Sequence, residues 1–79
     1  MALLRAVARI PQHRRLLGDA IRAYRKRSGF SQETLAEKAD LHPVYISAVE
    51  RGVKTISMDS IARIAKALGV RISDLTRDL

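Results

Sequence analysis

The sequence contains no cysteine, which excludes disulfides and thiolate metal sites and fits a reducing compartment. No apolar run approaches the roughly 20 residues that a membrane helix needs. Val, Ile and Thr never alternate for long enough to suggest a strand. There is no glycine-rich phosphate loop and no nucleophile elbow, and His13 and His42 stand alone without the spacing of a metal site. The carboxylates are scattered along amphipathic segments, where solvated side chains are the ordinary explanation. No internal repeat or low-complexity segment is visible. At 79 residues the chain is too short for a doubly wound sheet, a barrel or a two-domain enzyme. These absences together argue against catalysis, and no cofactor, metal ion or small-molecule ligand is expected.

What is present is a small, strongly basic domain. With 47% hydrophobic residues it is not a disordered basic tail. A domain of this size buries only about 60% of the surface its unfolded chain exposes, so its core is thin and a partner subunit would help it. The formal net charge is +7, and its distribution matters more than its total. Arg5, Arg9, Arg14, Arg15, Arg22, Arg25, Lys26 and Arg27 face only Asp19 in residues 1–29, while residues 30–79 balance to zero. A charge run is usually a solvated face. One-sided charge at this density also suggests a polyanion, with nucleic acid the first choice and an anionic membrane surface the second.

The apolar pattern is helical throughout. Leu17, Ile21, Tyr24 and Ser28 form one stripe, and Gly29 follows where a helix-ending glycine belongs. Ser31 offers an N-cap oxygen to a second helix that opens with Gln32, Glu33 and Thr34 and turns Leu35, Ala36 and Ala39 inward. Asp40-Leu41 permits only a tight turn. Pro43 suits the first position of a third helix with Ile46 and Val49 inward and Gly52 closing it. Ser57 caps a fourth helix whose stripe is Met58, Ile61, Ile64, Ala65 and Leu68, ended by Gly69. Ser73 is placed to cap a short last helix carrying Leu75 and Leu79. The expectation is an all-α domain of five helices over residues 16–79, preceded by a basic segment, 1–15.

Two short helices joined by so tight a turn have helix-turn-helix geometry. The stretch Phe30-Ser31-Gln32-Glu33-Thr34-Leu35-Ala36-Glu37-Lys38-Ala39 resembles the second helix of the phage-repressor (Cro-like) helix-turn-helix family, and Tyr45-Ile46-Ser47-Ala48-Val49-Glu50-Arg51-Gly52 resembles its recognition helix. Ser57 to Val70 is similar to the family's fourth helix. Within the family, the run from Leu41 to Ser47 and the link into the fourth helix are most similar to the small controller proteins of restriction–modification systems. The resemblance implies a five-helix, lambda-repressor-like DNA-binding domain and a cytoplasmic bacterial or phage regulator.

It also implies roles for individual residues. Gln32 matches a glutamine that bonds a DNA phosphate at a helix N-terminus, although an ordinary solvent-exposed residue fits that position equally. His42, Pro43, Val44, Ser47 and Ala48 fall at the start of the recognition helix or on its base-facing side. Tyr45 and Arg51 match phosphate contacts, and Lys54 matches a basic residue that reaches the groove floor. Arg25 and Glu50 match an ion pair between the first and recognition helices. Three departures stand out. Asp40 replaces a turn glycine and must take a positive φ. His42 is a weaker N-cap than Ser, Thr or Asp. Pro43 and Val44 cannot make the bidentate bonds that distinguish guanine or adenine, although Val44 can press on a thymine methyl.

In the basic segment, Leu3, Leu4, Val7 and Ile10 share one helical face and Pro11 stops the pattern. It reads as an extra helix, as an arm reaching phosphates through Arg14 and Arg15, or as a presequence. Val70, Ile72, Leu75 and Leu79 offer a dimer surface or else cap the core. No effector domain is expected after the fifth helix, so control would come from the regulator's own concentration. The function expected is a homodimeric regulator on double-stranded DNA, with no membrane partner. The alternative is an antitoxin-like or bridging module that docks a protein.

Overall fold

A computed structural model describes residues 10–79. Leu3, Leu4, Arg5, Val7 and Arg9 of the basic segment lie outside the described residues. Among the described residues the chain forms five α-helices and no strand: α1 (Gln12–Arg27), α2 (Gln32–Ala39), α3 (Pro43–Glu50), α4 (Met58–Leu68) and α5 (Ile72–Leu75). The start of α1 differs from expectation. Its carbonyl acceptor is Pro11, which takes the N–H groups of both Arg14 and Arg15 at 3.1 Å. Proline's fixed φ, −54° here, suits the residue that launches a helix. Arg14 and Arg15 are therefore helical residues of α1 and not part of a separate arm.

Four of the five helices end in the same way. An N–H two or three residues past the helix reaches back to the carbonyl five positions upstream: Phe30 to Arg25, Leu41 to Ala36, Val53 to Ala48 and Val70 to Ala65. This Schellman ending needs one residue in the left-handed region and favours an apolar residue after it. Glycine fills the left-handed position three times, and Asp40 fills it once at φ 56°. Asp is among the few side chains that tolerate this conformation, so the α2–α3 turn closes without glycine. The Asp40 carbonyl then accepts a hydrogen bond from Arg63 Nη1 at 3.3 Å, which ties the turn to α4.

The helix starts follow the sequence in part. The hydroxyls of Ser31 and Ser57 accept the N–H groups of Thr34 and Ser60 at 3.0 and 3.1 Å, as N-caps do. Ser73 does not cap α5. That helix begins two residues earlier, because the Asp74 carboxylate accepts the Arg71 N–H at 2.9 Å and draws the chain into a turn directly after Val70.

The core is small and draws on every helix: Leu17 and Ile21, then Leu35, Ala36 and Ala39, Ile46 and Val49, Ile61, Ile64 and Ala65, and finally Leu75. The helix α2 lies at the centre against α3 and α4, α1 covers α3, and α5 closes the end against α4 and α1. Two stripe residues fall outside. Ser28 is the exposed C-cap of α1, and Met58, at the first position of α4, projects past the core and is 71% exposed. Leu75 corrects the expected dimer surface, because it is only 1% exposed within the chain and packs in the core. Val70 and Ile72 are half-buried against that core, and Leu79 is exposed.

The close contact that fixes α3 is made by Gly18. A Cβ there would stand 2.5 Å from the carbonyl oxygens of both Val49 and Glu50, so only glycine lets the two backbones meet. The Gly18→Ala variant is expected to lose about 1–3 kcal/mol of stability, as over-packed cores do. Urea unfolding measures this, and a variant as stable as the parent would mean that α1 and α3 are not packed this closely.

Candidate nucleic-acid interface

Helix α3 has eight residues, about two turns, and is too short to hold its own direction. Its inner side is Ile46, Val49 and Glu50. Glu50 is the one buried charged residue among the described residues, with its side chain 0% exposed. Arg25 of α1 grips it in a fork: Nε donates to Oε2 at 2.6 Å and Nη2 donates to Oε1 at 3.0 Å. Arg25 Nη1 also donates to the Phe30 carbonyl at 2.9 Å. Gln32 Nε2, from the start of α2, donates to Oε1 at 3.1 Å, and Arg22 Nε stands 3.4 Å from the same oxygen. One carboxylate thus joins three helices.

Burial by itself would raise the Glu50 pKa. The hydrogen bonds from Arg25 and Gln32, the Arg25 charge and the Arg22 bond outweigh it and hold the carboxyl below its ordinary value. No buried side-chain polar atom is left without a partner among the described residues.

Gly52 makes a second close approach. With φ 74°, its missing Cβ leaves room for Ile10 Cγ2 at 3.0 Å and the Arg15 Cα at 3.1 Å. The end of α3 therefore sits beside the first turn of α1, and Arg15, itself exposed, stands next to it.

With that side fixed, the outer side of α3 faces away from the core. His42 caps the helix through Nδ1, which accepts the Val44 N–H at 3.1 Å. Val44 is 68% exposed. His42, Val44, Tyr45, Ala48 and Lys54 together line an open groove of about 380 Å³. The Lys54 ammonium lies 5.9 Å from the centre of the Tyr45 ring. Pro43, Ser47 and Ala48 are half-buried, and Arg51 is exposed, its Nε donating to the Ser47 carbonyl at 3.3 Å.

The expected site residues thus fall into three groups. Around α3, five share the groove while Pro43, Ser47 and Arg51 lie on the helix and its C-cap. Gln32 is engaged inside the molecule through Glu50, which uses one of its two amide hydrogens. Arg14 and Arg15 start α1. Three residues of this arrangement were not singled out from the sequence. Arg22 lies one turn before Arg25 on the same face. Gly18 interrupts a helical pattern, which usually has a packing reason. Gly52 shows in the sequence only as a helix end. Among the described residues no helix is long and apolar enough to cross a membrane, and no three His, Asp or Glu side chains come together as a metal site.

The fold and the exposed face of α3 define a small helix-turn-helix protein. A helix-turn-helix family profile matches residues 21–75. Over 63 residues the chain is 49% identical to "Control protein C.BamHI" of Bacillus amyloliquefaciens, covering 78% of each chain. It is similar to the solved restriction-modification controller protein C.AhdI from Aeromonas hydrophila, with a TM-score of 0.77 and 35% identity over 78% of this chain and 94% of that one. It is also similar to SinR, the master regulator for biofilm formation, solved in complex with DNA, with a TM-score of 0.72 and 33% identity over 75% and 95% of the two chains. The chain belongs to the helix-turn-helix family, and its relatives are controller proteins and transcriptional regulators, not enzymes.

Arg25→Ala would leave the buried Glu50 carboxylate with only Gln32 and Arg22, and is expected to cost about 3 kcal/mol, the lower end for a broken buried pair. Unchanged urea unfolding would refute the assigned role. The acid limb gives a second check. Because the folded pKa of Glu50 is depressed, its contribution is whole above the unfolded value, about 4.3, and is lost as pH falls through the folded one. The stability gap between the parent and Glu50→Gln should therefore narrow on acidification below that point. A gap independent of pH would mean that folding does not depress the Glu50 pKa.

Proposed function

We propose that this chain is a sequence-specific DNA-binding transcriptional regulator of the restriction–modification controller type, acting in the bacterial cytoplasm as a homodimer on a palindromic operator. The observation that carries the reading is the face of α3. A two-turn helix is locked from behind by Arg25 and Glu50 and presents Val44, Ser47 and Ala48 outward with Arg51 and Lys54 beside them. Such a helix enters a major groove, and cations at its end meet the flanking phosphates. The similarity to controller proteins and to a regulator solved with DNA supports the same reading.

Three features support the dimer. The monomer core is thin, Val70 and Ile72 are only half-covered, and Leu79, seven residues after Ile72, is 54% exposed. A two-fold pair would set two recognition helices about 34 Å apart, one turn of DNA.

Binding and steering are divided in this reading. The excess charge of α1 gives affinity for any duplex, whereas α3 sets the choice of site. Log affinity should fall linearly with log salt, by about 0.9 for each phosphate contacted. Replacing Arg14 and Arg15 by Ala should weaken binding to all sequences alike and flatten that slope, and changing Ser47 should alter which sites are preferred. Titrations of operator and scrambled duplex at several salt concentrations measure both. Binding that ignores salt, or substitutions of Arg14 and Arg15 that change the preferred site, would count against the division. A monomer by sedimentation at micromolar concentration would remove the dimer.

A further inference from the structure

The groove on the outer side of α3 is apolar where a reading surface is usually polar. Val44 and Ala48 are one helical turn apart on the same side, the Tyr45 ring and the Lys54 stem close it, and His42 stands at one end with Nδ1 already committed to the Val44 N–H. No carboxylate or amide side chain lines it. The side chains of Val44 and Ala48 make no bidentate bond to guanine or adenine. The one apolar group that a base pair presents in the major groove is the C5-methyl of thymine. Cytosine methylated at C5 carries the same methyl at the same ring position.

The cation at the rim points to the kind of occupant. Lys54 is exposed and holds its ammonium over the Tyr45 ring, and Arg51 is exposed one turn beyond Ser47. Among the described residues neither forms a salt bridge. An apolar floor with a cationic rim matches a methylated base edge beside its phosphate, and is a poor match for an apolar peptide.

Resting on the reading of the chain as a DNA-binding regulator, we propose that the Val44–Tyr45–Ala48–Lys54 groove reads a pyrimidine C5-methyl. Binding then responds to C5-methylation of cytosine at one base pair in each half-site. Val44 and Ala48 are the specificity-determining residues, and Lys54 fixes the register through the adjacent phosphate.

The test starts from the duplex that the full chain selects from a random DNA pool. Uracil is placed at each thymine in turn, removing only the methyl. Each such thymine is also exchanged for cytosine, with and without a C5-methyl. At one position per half-site uracil should weaken binding about fourfold, the transfer free energy of one methyl-sized group. Cytosine there should weaken it further, and 5-methylcytosine should regain about the same factor. Val44→Ala should bind the thymine and uracil duplexes alike, with the circular dichroism and salt slope of the parent. Tight, selective binding by the parent with no uracil effect at any position overturns the methyl reading alone. A thymine–uracil difference that survives in Val44→Ala does the same. A chain that selects no sequence from the pool overturns the regulator reading and this one with it.

Discussion

The structure depends on one buried carboxylate. Glu50 is desolvated, which is costly for any charge, and the cost is offset by a bidentate guanidinium with a hydrogen bond from Gln32. Buried ion pairs are weak sources of net stability compared with an apolar contact of the same volume. The pair makes sense as an orienting device. Helix α3 is two turns long with only Ile46 and Val49 as apolar anchors, so its rotation and tilt would be loosely set by packing alone. A fork of two hydrogen bonds accepts one geometry. Gly18 and Gly52 bring the backbones close enough for that geometry to form. The outward direction of Val44, Ser47 and Ala48 is therefore decided on the opposite side of the helix.

Gln32 shows how closely anchoring and reading are joined. It opens α2, where a helix N-terminus attracts an anion, and its amide also bonds Glu50. A side chain in that position can sense both the ion pair behind α3 and a phosphate in front of α2. Loss of Arg25 would disturb the reading helix and the first turn of α2 together, so stability and recognition are not independent properties of this fold.

Much of this was legible in the sequence, and the reasons differ by element. Helix ends read well because Gly29, Gly52 and Gly69 mark left-handed positions that few other residues accept, and Ser31 and Ser57 are strong N-caps. The core stripe of α2 and α3 follows from spacing alone. The misreadings lie where a distant or weakly patterned partner decides. Nothing in the spacing of Leu17, Ile21 and Tyr24 shows that the helix already starts at Gln12, because its first turn carries no core residue. The position of Ser73 suggests a cap, but a carboxylate one residue later does the work. Leu75 looks like free surface until α4 and α1 are folded around it. Gly18 is the clearest case: its role is the absence of an atom, visible only once Val49 and Glu50 lie across from it. In the interface, the residues on and around α3 could be named from the family pattern, but their gathering into one apolar groove depends on Lys54 folding back over Tyr45.

The charge map explains why an apolar reading face suits so basic a chain. In the proposed complex the electrostatic attraction of α1 to phosphates is the same for every sequence and weakens as salt rises. A further cation at the centre of α3 would add to that common affinity without adding choice. Methyl contacts act oppositely: each is weak, nearly independent of salt, and present or absent according to the base. A contact worth about fourfold is a poor discriminator for one recognition helix. In a two-fold pair the same contact counts twice, so discrimination is squared while each chain keeps its modest contact. The proposed weak apolar reading therefore calls for the proposed dimer, and a monomer with this α3 face would bind DNA readily while telling sequences apart poorly.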